Sequence, residues 1–587
     1  MQLLQLLPLA LLPGILASCQ TAPVATTRNG TYAGRYLAEF SQDLFLNIPF
    51  AKAGRLENPS PYDESWEGLR SAEWYGNICP CPASPRSIRN ANVTGKSDDC
   101  LNLNIIRPSQ GTLKRKDEKL PVAVWLYGGG FADGFGADLN SNFSWIVQAS
   151  VAQDMPIMAV TLNYRVGFLG FPAGNEVTAA GVTNLGLKDQ RQAFRWVQEN
   201  IEAFGGDPEK VTVWAQSAGA NSVAYQLLAY GGKTDEKLFR GAIMSSGSIG
   251  IGNAVRSDRE DAVQGYQAIL NATNCLGAED TLDCLRAAPL DQVFDAGEAT
   301  TTRPTWWPTV DGDFITHPPF EQLEAGHFPR DVSILAGTND DEGFVLADLL
   351  GSATGTEDEL RQLLKTAFKF ARNETIEAVL RAYPSDAPSP PYALPMSATP
   401  RFCSALEAVN KTCGGVQYRR LAAITGDYGL IHGRRDMARK FASLDMTAYT
   451  YRFDTWPISF PIQTQYETQP GFGGHSTEYS YFFRFPRGYE LYGNNPPVAN
   501  SSSHLALSHA ISSMLIAYVY TGDPNSVQIP NVPTWPKYSV DKPSNLVLNA
   551  TEVPDVLNIH VEPDTWREEG MALWAQYPLE LDLAMGW

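Results

Sequence analysis

Apolar and polar positions in this chain follow two periods, and the two alternate along its length. Tyr36–Ile48 changes character every second residue, as a strand does when one face is buried. Asn102–Ile106 and Pro121–Tyr127 also read as strands. Ile157–Tyr164 is an apolar run bounded by turn signals, which suggests a strand covered on both faces. The stretch Pro59–Trp74 between them is rich in turn residues. Leu187–Phe204 brings Phe194, Val197 and Ile201 round at helical spacing and stops at Gly205-Gly-Asp-Pro208. A β-branched run then ends abruptly at Ser217, where the small residues Ala218-Gly-Ala-Asn-Ser222 open a helix. Gly241–Met244, Ile334–Ala336 and Thr447–Phe453 read as further strands. Helical patterns dominate between Thr375 and Lys440, broken by the proline-rich Ser385–Pro395. His504–Thr521 reads as a long amphipathic helix closed by Gly522-Asp-Pro524. Strands alternating with helices predict an α/β fold with a mostly parallel sheet covered on both faces. The chain contains no internal repeat and no low-complexity tract.

With 587 residues, length alone raises the prospect of several domains. Large α/β enzymes absorb long insertions into one unit, so the expected organisation is a leader over residues 1–19 and a single domain over residues 20–587. The leader is short, leucine-rich from Leu3 to Leu16 and closed by small residues, as a secretory signal peptide is. Leu16-Ala-Ser-Cys19 also looks like a lipoprotein cleavage box, but no Lys or Arg precedes the apolar run. No later run reaches the roughly 18 apolar residues of a membrane span. Net charge is −19 and the longest basic run is Lys114-Arg-Lys116, which argues against nucleic acid or an anionic membrane surface as partner.

Two further signals agree with secretion. Asn29, Asn92, Asn142, Asn271, Asn373, Asn410, Asn500 and Asn549 each begin an Asn-x-Ser/Thr sequon. Cys275 with Cys284, and Cys403 with Cys413, are spaced for local disulfides. Cys100 has two candidate partners, Cys81 and Cys79, so Cys81–Cys100 belongs to the expected set with Cys79 as its rival. A zinc site at Cys79-Pro-Cys81 is disfavoured, because no histidine occurs before His317.

Ser217 lies at the apex of a strand, sharp turn and helix in Trp214-Ala-Gln-Ser217-Ala-Gly219. Such a turn exposes a serine hydroxyl at the top of a sheet, and close passage of strand and helix demands small neighbours. A serine nucleophile needs a base, and the base needs an orienting acid. Among the seven histidines, His475 stands on a glycine-rich loop, Gly471-Phe-Gly-Gly-His475-Ser-Thr-Glu478, from which it can reach a remote sheet edge. The acid is expected between serine and histidine in chain order. The strand and loop Leu335-Ala-Gly-Thr-Asn-Asp-Asp-Glu342 offers Asp340, Asp341 and Glu342, and local logic does not choose among them. Trp125-Leu-Tyr-Gly128-Gly129-Gly130-Phe131 places three glycines after a strand, leaving N–H groups free for a developing oxyanion. The N–H of Ala218 would be a third donor.

These residues resemble the type-B carboxylesterase/lipase family of α/β-hydrolases, which includes cholinesterases and fungal lipases. The likeness rests on Ser97-Asp-Asp-Cys-Leu-Asn-Leu-Asn104, Tyr127-Gly-Gly-Gly-Phe131, Asn163-Tyr-Arg165 with Gly170-Phe171, and Asn184-Leu-Gly-Leu-Lys-Asp-Gln190. Phe204-Gly-Gly-Asp-Pro208, Ser246-Gly-Ser248, Asp340-Asp-Glu-Gly343 and Thr521-Gly-Asp-Pro-Asn525 follow in order. The resemblance implies the α/β-hydrolase fold, a triad of Ser217, Glu342 and His475, and an oxyanion hole at Gly129, Gly130 and Ala218. It implies a disulfide at Cys100 and another at Cys275–Cys284, and no metal or organic cofactor.

Departures from the family pattern narrow the substrate. Ala215 replaces the first glycine of the serine turn. Gln216 stands where the family often has glutamate, removing a charge that would attract a cationic ester. The segment from Cys81 to Cys100 lacks the tryptophan that holds choline in cholinesterases. Its stretch Ser87–Lys96 is polar, unlike a lid facing an oil interface. Trp306 and Trp307 line a substrate pocket or pack in the core. The expectation is a secreted serine ester hydrolase acting on a soluble small-molecule ester, with lipase, non-catalytic binding member and dedicated natural-product esterase as rivals. Oligomeric state is not legible.

Overall fold

Leu120–Leu126, Met158–Leu162, Gly241–Ser245 and Ser544–Leu548 bury every residue they contain. A strand covered on both faces has no solvent side to keep polar, which is why apolar residues predominate in these segments. The computed structural model describes residues 22–577 apart from 83–91, 116, 250–254, 257–258, 300–305, 344–345, 348–354, 369–370, 386–416, 456–473, 486–501 and 551–556. The leader, Cys403, Cys413, Asn410 and Asn500 lie outside the described residues.

The central sheet has eleven strands. In chain order they are β1 (Arg35–Leu37), β2 (Gln42–Pro49), β3 (Asn102–Pro108), β4 (Leu120–Leu126), β5 (Met158–Leu162) and β6 (Gly206–Gln216). They continue as β7 (Gly241–Ser245), β8 (Ser333–Asn339), β9 (Ala448–Phe453), β10 (Ser544–Leu548) and β11 (His560–Pro563). Their spatial order is β11-β10-β9-β8-β7-β6-β4-β5-β3-β2-β1. From β5 through β10 every neighbour is parallel, and antiparallel strands close both edges. Parallel strands put their C-terminal ends on one rim, the place where open α/β sheets build their sites. The loops after β4, β6, β8 and β9 therefore leave from a common edge.

Helices α1 (Leu185–Asn200), α2 (Ala218–Leu228), α3 (Tyr418–Gly426), α4 (His432–Ser443) and α5 (Ser502–Thr521) cover or flank this sheet. α2 packs on β6 and β7, and α4 on β8 and β9. Arg165, just beyond β5, forms a buried ion pair with Asp189 of α1 at 2.7 Å, tying a strand end to a covering helix. Trp306 and Trp307 are buried in a hydrophobic cluster that also holds Phe131 and Ala218, and Trp306 packs against Phe168.

Three expectations are corrected. Tyr36–Ile48 is not one strand but a hairpin, β1 and β2, turning at Ser41 with φ 53°. α5 is not amphipathic, because the helix Ser144–Ala152 on one side and the sheet on another bury nearly all of it, and serines instead of charged residues fill its polar positions. Cys100 bonds Cys79, not Cys81. The segment carrying Cys79 is paired with the one before Cys100 through Ile78 N–H to the Gly95 carbonyl and Ser97 N–H to the Ile78 carbonyl, which brings Cys79 opposite Cys100. Cys81 is buried alongside. Cys275–Cys284 forms as expected. Of the sequons described, Asn92, Asn271 and Asn373 are exposed, whereas Asn29, Asn142 and Asn549 are half-buried.

Behind β9 and β10, Asp564 receives hydrogen bonds from Arg434, Arg435, Tyr538 and Asn545. Burial disfavours its charge, and the two guanidiniums more than reverse this, holding the carboxyl well below its usual range. Asp564→Ala leaves two buried cations without their anion and is expected to cost about 3–5 kcal/mol, read as a lower denaturant midpoint. A carboxyl depressed in the folded state contributes stability above its unfolded pKa and loses it as pH falls. The difference between variant and wild type is therefore expected to shrink below about pH 4.

Candidate active site

β6 ends at Gln216, and Ser217 follows at φ 55° and ψ −129°, a conformation that serine rarely adopts. The turn is held by its surroundings. Ser217 N–H donates to the Ser245 carbonyl at 2.9 Å, and Asn221 N–H donates to the Ser217 carbonyl as α2 begins. Gly219 has to be glycine: a Cβ there would stand 2.3 Å from the Leu126 carbonyl oxygen of β4. Ala215, replacing the usual glycine, is buried within β6 between Leu126 and Met244, and the turn forms around it.

His475 Nε2 lies 2.9 Å from Ser217 Oγ, and its Nδ1 lies 2.7 Å from Glu342 Oε2. Residues 258 and 133 positions apart in sequence thus form one chain of hydrogen bonds. The Glu342 side chain is fully buried and that of His475 is 14% exposed, so the carboxylate is shielded from solvent while the imidazole is partly accessible. A parallel bridge between Asp341 and Gly474 ties the residue before His475 to the turn that carries Glu342. Asp340 and Asp341 turn elsewhere. Asp340 pairs with Arg452 at 2.5 Å, and Asp341 with Arg419 at 2.8 Å and Arg567 at 3.7 Å. Of the three adjacent acids, Glu342 reaches the imidazole.

Gly128, Gly129 and Gly130 follow β4, beside the serine. A Cβ on Gly128 would stand 2.8 Å from Ser217 Cβ. The turn closes through the Gly129 carbonyl, which accepts from Ala132 and Asp133, and the N–H groups of Gly129 and Gly130 take no part in that closure. Gly129 has φ 97° and Gly130 φ 62°, the left-handed region that glycine enters freely.

The whole of this rim falls inside a match to the Carboxylesterase family model over residues 21–564. The chain belongs to the carboxylesterase family. Lipase 4 of Diutina rugosa is 32% identical over 96% of this chain and 97% of its own length. Secreted lipase 1 of Botryotinia fuckeliana is 31% identical over 88% of this chain and 86% of its own. The crystal structure of Aspergillus niger EstA superposes with a TM-score of 0.76 at 26% identity, covering 96% of this chain and 99% of that one. This carboxylesterase is a carboxylic ester hydrolase with the α/β-hydrolase fold.

Around Ser217, Glu342 and His475 lie further polar contacts that the sequence did not disclose. Glu478, three residues after His475, is buried and accepts from Ser246 Oγ at 3.1 Å and Asn339 Nδ2 at 2.6 Å. Burial and the nearby charge of Glu342 push its carboxyl well above the ordinary range. Gln216 Nε2 donates to Ser476 Oγ at 2.8 Å, tying the residue before the serine to the residue after the histidine. Burial works against a charged imidazole at His475. The hydrogen bond and charge of Glu342, with the charge of Glu478, outweigh it, so the His475 pKa is raised. The only advance signal for this layer was spacing: Asn339 precedes Glu342 by three, and Glu478 follows His475 by three.

Among the described residues, no group of three or more His, Cys, Asp or Glu side chains is arranged to hold a metal ion. No helix there is long and apolar enough to cross a membrane.

Proposed function

We propose that this carboxylesterase is a secreted serine hydrolase of soluble, uncharged carboxylic esters, working through Ser217, His475 and Glu342. The observation that carries the reading is the pair of hydrogen bonds by which one imidazole joins Ser217 Oγ and Glu342. His475 Nε2 takes the hydroxyl proton as Oγ attacks the ester carbonyl. The negative oxygen of the tetrahedral intermediate is held by the N–H groups of Gly129, Gly130 and Ala218. Glu342 keeps the imidazole in its Nδ1–H form and stabilises the imidazolium without taking its proton. His475 passes that proton to the departing alkoxide, leaving an acyl group on Ser217. Water, deprotonated by the same nitrogen, then releases the acid and restores the serine.

Secretion is supported by the apolar leader, the disulfides and the name of the Botryotinia fuckeliana relative. Soluble substrates are supported by the polar sequence of residues 87–96, and uncharged ones by Gln216. A second reading, lipase, is favoured by the names of the Diutina rugosa and Botryotinia fuckeliana relatives.

Hydrolysis of p-nitrophenyl esters across a ladder of acyl lengths, in solution and as emulsions, separates the two. The expected profile peaks at short acyl chains and shows no rise at an oil interface. A peak at long chains, with activation by emulsion, would replace the esterase reading with the lipase one. No hydrolysis at any length would overturn both.

A further inference from the structure

Asn339 is the last residue of β8 and is buried. Its carboxamide touches every element that carries the acid and the base. Nδ2 donates to Glu478 Oε2 at 2.6 Å, to Ser246 Oγ at 3.0 Å and to Glu342 Oε1 at 3.3 Å. Oδ1 accepts from Thr477 Oγ1 at 3.0 Å. The main-chain N–H of the same residue donates to Glu342 Oε1 at 2.5 Å. Glu342 is on Asn339's own turn, Ser246 lies just past the neighbouring β7, and Thr477 and Glu478 lie two and three residues after His475.

We infer that Asn339 is a positioning residue for ester hydrolysis, its amide locking the Glu342 turn to the His475 loop so that the imidazole reaches Ser217 and Glu342 together. The inference rests on the proposed roles of Ser217, His475 and Glu342. Its physical basis is the pair of buried carboxylates, Glu342 and Glu478, which repel each other in a medium that screens them poorly. Between them stands a neutral group with two N–H protons. One amide can serve both acids without adding charge, and its oxygen remains free for Thr477. Aspartate there would bring a third negative group and no N–H. Leucine would fill the volume and leave both acids short of a donor. Ser246 completes the circuit, accepting from the amide and donating to Glu478 Oε1 at 3.1 Å.

The groups that face the imidazole are Glu342 and Glu478. Tyr451, buried near both carboxylates, is held in its neutral form mainly by that burial. Removing the shared amide takes a hydrogen-bond donor away from both acids and leaves more of their negative charge to the imidazole, which strengthens the hold on its proton. A residue that merely fills the strand end would not change that hold.

The test compares the full chain with Asn339→Leu, Asn339→Ser, Glu478→Gln and the Asn339→Leu/Glu478→Gln double variant, on p-nitrophenyl butyrate between pH 5 and 9. Asn339→Leu is expected to lower kcat by about 10²-fold with KM within about threefold, and to move the acid limb of kcat/KM upward by about half a pH unit or more. Asn339→Ser, which keeps one hydroxyl donor, is expected to fall between, and it carries the test if the leucine variant does not fold. In the Glu478→Gln background, the leucine substitution is expected to move the limb less, because one of the two acids is gone. The inference is overturned if folded Asn339 variants keep the wild-type limb. It is equally overturned if activity falls only with the titrated fraction of intact sites. Absence of activity in wild type, or full activity in Ser217→Ala, would instead strike down the ester-hydrolase mechanism beneath it.

Discussion

Ser217→Ala is expected to leave the chain folded and to lower kcat/KM for p-nitrophenyl butyrate by about 10⁴–10⁶-fold. The fold survives because alanine keeps the Cβ and loses only the hydroxyl. The backbone seat at φ 55° is imposed by neighbours and is no more strained for alanine than for serine. The contacts that enforce it are main-chain ones: Ser217 N–H to the Ser245 carbonyl, Asn221 N–H to the Ser217 carbonyl, and Gly219 against Leu126. None uses Oγ. Activity collapses because every covalent step passes through that oxygen. What remains should come from the amides of Gly129, Gly130 and Ala218, which can stabilise an oxyanion formed by direct attack of water. Denaturant midpoints and single-turnover release of p-nitrophenol check the two halves separately. Retention of more than about a hundredth of the wild-type rate would place the nucleophile elsewhere.

The serine was legible in the sequence because its geometry is local. A β-branched strand, an apex and a run of small residues all fall within one short segment, and each is demanded by the close crossing of β6, β4 and α2. The parallel sheet was legible because strands and helices alternate along the chain, and a strand followed by a covering helix returns in parallel. The acid was not locally legible. Asp340, Asp341 and Glu342 are adjacent carboxylates, and what separates them is the position of Arg452, Arg419 and Arg567, all distant in sequence. Only the family likeness pointed to Glu342. The choice between Cys79 and Cys81 failed for the same reason, since the pairing of Ile78 with the segment before Cys100 is a tertiary fact. The α5 helix was misread because a surface helix and a helix covered on several sides can share the same polar serines. Asn339 and Glu478 looked like ordinary polar loop residues, and their meaning depends on β7, β8 and the base loop meeting.

Glu342→Gln is expected to lower kcat by about 10³–10⁴-fold while KM changes little. The direction follows from which oxygen is already committed. Asn339 N–H donates to Glu342 Oε1, so the carbonyl oxygen of a glutamine has to occupy that position. Its amide NH₂ then faces His475 Nδ1, where Oε2 stood at 2.7 Å. An amide donates there, so Nδ1 must accept, and the ring carries its proton on Nε2. That nitrogen can no longer take the proton of Ser217. The same exchange removes a negative charge from beside the ring. Activity requires neutral imidazole, and His475 has a raised pKa chiefly because the hydrogen bond and charge of Glu342 overcome burial, so the wild-type acid limb should lie above the ordinary value of about 6.5. In the glutamine variant burial is no longer opposed by Glu342, and the limb should move to lower pH even as the plateau drops. A pH–rate profile of both enzymes reads the two effects at once. A falling plateau with an unmoved limb would mean that Glu342 does not govern His475. Asp341, whose carboxyl is raised by burial to about 6 and only partly relieved by Arg419 and Arg567, would then be the group to test next.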